Sequence, residues 1–89
     1  MLVLPVDLTR VQASDCLQML VQGLRAESGS TVVVDAAALA RFDSAALAVL
    51  LEFRRASLAL GKSVLIRALP QPLRDLADLY GITELLPAS

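Results

Sequence analysis

Few side chains in this chain of 89 residues are equipped for chemistry, and the types that are missing decide more than those present. There is no histidine. That removes the commonest general base, every Ser-His-Asp or Cys-His arrangement, and the usual zinc ligand. Only four glycines occur and none are grouped, so no phosphate-cradling loop of the Walker or dinucleotide type is present. Asp75 and Asp78 flank the apolar face of a late helical stretch and read as solvated carboxylates, not as an acid/base pair. Cys16 shares a helical face with Leu20 and Leu24 and reads as a core thiol. The expectation is a chain with no catalytic residue, no metal ligand and no cofactor.

Three features remain. Asp43-Ser44 follows a strand and loop at the start of a helical stretch, where unpaired backbone amides and the positive end of the helix dipole favour an anion. Two roles fit that position: an N-cap, or a phosphate acceptor at Ser44 that gains from those donors while repelling Asp43. The adjacent pair Arg54-Arg55 is either plain surface charge or a steering group for an acidic partner. The third feature is a wide apolar arc. On a helical wheel Leu47, Leu51 and Leu58 fall together with Leu50 beside them, while Val49, Phe53, Ala56 and Leu60 lie on the far side. Only Ala48, Glu52, Arg55 and Ala59 form an outward strip, although a helix on a sheet needs an apolar stripe of only about 100°. Neighbouring helices of the same domain or a partner protein would cover the rest.

The elements that must position these residues alternate along the chain. Met1 to Val6 reads as a short strand at a sheet edge, because Pro5 cannot donate to a ladder. Val11 to Ala26 carries apolar residues at helical spacing. Thr31-Val-Val-Val-Asp35 is a β-branched run expected to form a central strand covered on both faces. A helix from Asp43-Ser44 to about Leu60, stopped by Gly61, leads to a strand over Ser63 to Ala68 and a last helix over Pro72 to Tyr80. Strand and helix in strict alternation predict an α/β fold: one domain spanning residues 1–89, a small, mostly parallel sheet with helices packed on it.

Composition narrows the partners. The chain is 56% hydrophobic and 19% charged, with a net charge of −1, which gives no electrostatic reason to bind nucleic acid. Phe42, Phe53 and Tyr80 are too far apart in sequence to suggest a base-stacking platform. The longest unbroken apolar run, Ala45 to Leu51, is far short of a membrane span, and Met1 to Asp7 lacks the pattern of a secretory signal. A cytoplasmic protein with no direct membrane insertion is expected.

Taken as a pattern, Thr31 to Leu51 resembles the central signature of STAS domains, known from sulfate transporters and anti-sigma factor antagonists: a hydrophobic strand ending in Asp, a short loop, then Asp-Ser at a helix start. Ala56, Gly61-Lys62, Leu69-Pro70, Leu73, Leu76-Ala77, Leu79-Tyr80-Gly81 and Leu85-Leu86-Pro87 resemble the tail of the MlaB-type branch. The resemblance implies a SpoIIAA-like fold. It also implies a non-catalytic subunit seated on the MlaF-like ATPase of an ABC phospholipid transporter that maintains outer-membrane lipid asymmetry, peripheral to the inner membrane. Carried over by motif, Ser44 takes the place of the hydroxyl residue at the helix start, beside Asp43, and the helix it begins belongs to the partner-facing region; the residues expected to bind the partner are Asp43, Ser44, Ala45, Leu47, Ala48, Leu51, Arg54 and Arg55. The alternative that it implies is an anti-sigma factor antagonist regulated by phosphorylation of Ser44. Ala45-Ala46 stands where such antagonists usually show Ser-Gly, which weakens recognition by a kinase. One leading strand is read where the family has a pair, and the exposed edge this leaves is compatible with a homodimer.

Overall fold

The computed structural model describes residues 1–88. Its nucleus is β3 (Thr31–Asp35), whose β-branched residues pair in parallel with β5 (Ser63–Arg67) over all five positions, from Thr31 opposite Ser63 to Asp35 opposite Arg67. The short edge strand β1 (Leu2–Val3) pairs in parallel on the other side of β3, giving the order β1-β3-β5. Beyond Pro5 the chain forms β2 (Asp7–Leu8), which pairs in parallel with β4 (Arg41–Phe42) as a separate two-stranded ladder. Two leading strands therefore exist where the sequence suggested one. Both are so short that Pro5 and the loop after β3 hide them from any periodicity. Asp7 and Arg41 clasp this ladder, Arg41 Nε donating to Asp7 Oδ1 at 2.6 Å, and that hydrogen bond followed by the carboxylate charge raises the Arg41 pKa.

Helices α1 (Ala13–Ala26) and α2 (Ala45–Ala59) are the crossovers from β1 to β3 and from β3 to β5. Because both crossovers step across the sheet in one direction, the usual right-handed connection lays both helices on the same face, and they pack against each other there. The burial of β3 and β5 follows. Val32, Val34, Val64 and Ile66 point into the core, whereas Val33 and Leu65 are half-buried and Thr31, Ser63 and Arg67 are exposed. The expectation that β3 would be covered on both faces is corrected: no crossover turns back to cover its second face. Helix α3 (Gln71–Leu79), with Pro72 in its first turn, and a 3-10 turn at Thr83–Leu85 complete the chain. Their buried anchors are Leu73, Ala77 and Leu86, and the segment after the 3-10 turn runs beside β5, Ile66 N donating to Pro87 O at 2.8 Å.

Boundaries follow local chemistry. α2 ends at Gly61, whose φ of 72° is a left-handed conformation that glycine adopts without Cβ strain. Ala68, between β5 and α3, holds φ 58° with no such freedom. α1 begins two residues later than expected, since Thr9 and Gln12 close a turn on each other: Gln12 Oε1 accepts from Thr9 N at 2.9 Å and from Thr9 Oγ1 at 2.7 Å.

Candidate partner-docking site

The first turn of α2 is organised by Asp43. Its Oδ1 accepts from Ala45 N at 2.8 Å, and its Oδ2 accepts from Arg10 N at 3.2 Å, so one carboxylate ties the helix start to the turn before α1. Ser44 occupies the N-cap residue but makes no side-chain capping bond. The next amides are also committed: Ala46 N donates to Asp43 O, and Leu47 N and Ala48 N to Ser44 O. Of the two cap candidates, Asp43 does the capping. The amides expected to welcome a phosphate on Ser44 are already taken. The hydroxyl itself stands on an exposed residue.

Around this turn Arg10, Val11, Asp43, Ser44, Ala45 and Ala48 line a shallow depression. Val11, 81% exposed, forms its apolar wall, and neither Arg10 nor Val11 was singled out from the sequence. The available signal was an apolar residue just ahead of the polar face of α1.

Farther along, the wide arc of α2 divides. Ala46, Leu47, Val49, Leu50, Phe53 and Ser57 are buried. Leu47 is 2% exposed, so it belongs to the core and offers no side chain to a partner, a correction to its place among the partner-facing residues. Its position in the helix places it with Ala46, Val49 and Leu50 in the buried face. The other named residues do reach the surface: Asp43, Ser44, Ala48 and Arg55 are exposed, and Ala45, Leu51 and Arg54 are half-buried. Ser44, Ala48, Leu51, Arg55 and Leu58 succeed one another at steps of four and three, the spacing of a single helical stripe. Leu51, Glu52, Arg54, Arg55 and Leu58 line a second depression with Leu85 from the 3-10 turn as its far wall.

The remaining candidates stay outside this site. Cys16 is buried in α1, and desolvation by that burial raises its thiol pKa, the opposite of an activated nucleophile. A cavity of about 270 Å³ between α3, the end of β5 and the last described residues contains Arg74 and Asp78, but Arg74 Nε bonds Leu69 O and Asp78 accepts from Thr83. Among the described residues no group of three or more metal-ligating side chains occurs, and no helix is long and apolar enough to cross a membrane.

A small parallel sheet with helices packed on it and an Asp-Ser turn opening α2 are the arrangement the resemblance implied. The family model described as "Mlab, STAS domain" matches residues 1–87. The chain belongs to the STAS domain family, in its MlaB-like division. No curated protein matches it. For this STAS domain, family membership supports an accessory or regulatory role, and the family is generally non-catalytic.

Proposed function

We propose that this STAS domain is a non-catalytic subunit that docks on the ATPase of an ABC-type phospholipid transporter, on the cytoplasmic side of the membrane, and supports that ATPase in assembly and activity. The carrying observation is the outward stripe of α2, where Ala48 and Leu58 stand exposed, with Leu51 half-buried between them, on a helix whose opposite side already fills the core. A surface helix with no further duty places charged or polar residues there. Small Ala48 near the Asp43-Ser44 turn lets a second backbone approach closely, while Leu51 and Leu58 add apolar area and Arg55 a charge at the rim.

The test is co-purification from the native membrane with an ABC ATPase, using Ala48→Arg as the disrupting variant. The native chain is expected to bring the ATPase down, and the variant to lose it while retaining its fold, because truncating or blocking a central contact costs about 2 kcal/mol or more, roughly thirtyfold in affinity. Failure of the native chain to bind an ABC ATPase, or undiminished binding by Ala48→Arg, overturns the reading. The anti-sigma factor antagonist alternative rests on the exposed hydroxyl of Ser44, and opposes itself to the amides that Asp43 and the backbone have consumed. Incubation with the kinase of a neighbouring regulatory gene and mass spectrometry of Ser44 discriminates the two.

A further inference from the structure

We propose that the cavity between α3, the end of β5 and the last described residues is a binding site for a small zwitterion, an apolar α-amino acid of leucine's size. The cavity, of about 270 Å³, is lined by the buried residues Ile66, Leu69, Ala77 and Leu86 and by the polar side chains of Arg74, Asp78 and Thr83. It lies at the carboxyl end of β5, and open α/β sheets take their ligands outside the carboxyl ends of their strands. None of its lining residues belongs to α2, so it stands apart from the surface assigned above to the ATPase.

The charges select the occupant. Arg74 and Asp78 are four residues apart on one helix, a spacing at which opposite charges ordinarily meet. Here no ion pair joins them, because each is held by another group. Arg74 Nε donates to Leu69 O at 3.0 Å, and Asp78 Oδ1 accepts from the Thr83 hydroxyl. Among the described residues the terminal guanidinium nitrogens of Arg74 and Oδ2 of Asp78 make no hydrogen bond, so donors and an acceptor remain side by side on the same cavity. Gln71, the other polar side chain of the lining, already donates to Asp75 Oδ1 at 2.8 Å. A simple anion would be attracted by Arg74 and repelled by Asp78, and a simple cation the reverse. A carboxylate and an ammonium on one carbon satisfy both, and the rise of about 6 Å between the two residues is a span such a molecule bridges with a hydrogen bond at each end. Its side chain then covers the apolar lining. A volume just below the roughly 300 to 1,000 Å³ of ordinary ligand pockets limits that side chain to a few carbons.

The test is an NMR titration of the isotope-labelled chain with L-leucine. Saturable shifts are expected at the amides of Leu69, Arg74, Asp78 and Leu86, with a Kd on the order of 100 μM to 1 mM for so small a ligand. Leucinamide, which lacks the carboxylate, and isocaproate, which lacks the ammonium, are each expected to bind at least about tenfold more weakly. Arg74→Met and Asp78→Asn are expected to weaken L-leucine to the same degree. Both positions are exposed, and Asp78→Asn keeps an oxygen for Thr83, so the cavity stands while the charge is gone. An absence of saturable shifts, binding of either singly charged analogue as tightly as L-leucine, or undiminished binding by either variant overturns the inference.

Discussion

The two long helices are nearly equal in length and lie side by side on one face of the sheet, yet they finish their solvent sides differently. α1 buries a narrow stripe of Cys16, Leu20 and Leu24 and turns Ser14, Asp15, Gln18, Gln22 and Arg25 outward, with Met19 as its one large apolar exception. α2 buries six residues, holds Leu51 half-buried against the core, and still presents Ala48, Leu58 and Ala59 to solvent among its charges. A central helix flanked by α1 on one side and the 3-10 turn on the other must bury a broader face. That accounts for Leu47 and Val49, but not for the outward stripe. The docking we propose for α2 rests on this difference.

The sharpest way to break this comparison is to put one charge on each side of the boundary in α2. Leu47→Arg forces a charge into the core and is expected to cost about 4 kcal/mol or more, enough to abolish the cooperative melt. Ala48→Arg, one residue on, is expected to change stability by no more than about 0.5 kcal/mol. Equal losses in urea titrations of the two variants would show that the outward stripe is structural after all.

The two helices also end differently. α2 stops on Gly61 in the left-handed region, whereas the end of α1 is held by a side chain, Lys62 Nζ donating to Glu27 O at 2.8 Å and to Gly29 O at 2.5 Å. Gly61→Ala is expected to cost about 1 to 2 kcal/mol through backbone strain. Lys62→Met should cost about 1 kcal/mol, as its bonds are partly exposed. At the start of α2, Asp43→Ala removes two accepted bonds and is expected to cost about 1 kcal/mol, while Ser44→Ala, which deletes no capping bond, should be nearly silent. Thermal melts of the four variants rank these contributions.

Much of this was legible because it follows from local rules. Thr31–Asp35 is too β-branched to be anything but a strand, Gly61 and Gly81 mark helix ends, and the Asp43-Ser44 start of α2 lies within two residues of where its chemistry places it. What escaped depends on partners distant in sequence. β2 and β4 are two residues each and form only where these distant segments meet, joined by backbone bonds from Ala40 N and Arg41 N to Val6 O and by the Asp7–Arg41 pair. A wheel sorts residues by angle but not by neighbour, so it grouped Leu47 with Leu51 and Leu58. Only the packing of neighbouring elements separates core Leu47 from half-buried Leu51 and exposed Leu58. The second wall of each depression, Val11 in one and Leu85 in the other, comes from a different element and left no trace near α2 in the sequence.

The smallest expected effect compares the single polar group that each helix buries. Ser57 in α2 donates its hydroxyl to Phe53 O at 2.8 Å and carries no charge at any accessible pH. Cys16 in α1 is different, because its thiol ionises more readily in the unfolded chain than in the core, where burial raises its pKa. Below the unfolded thiol value both states hold the proton and stability is indifferent to it. As pH rises past that value the unfolded chain releases the proton and the folded chain does not, so stability falls until the folded thiol also ionises. Urea unfolding across the alkaline range should therefore show a decline that Cys16→Ala flattens and Ser57→Ala leaves in place. An unchanged slope in Cys16→Ala would mean that the thiol reaches solvent and that the buried stripe of α1 is less closed than that of α2.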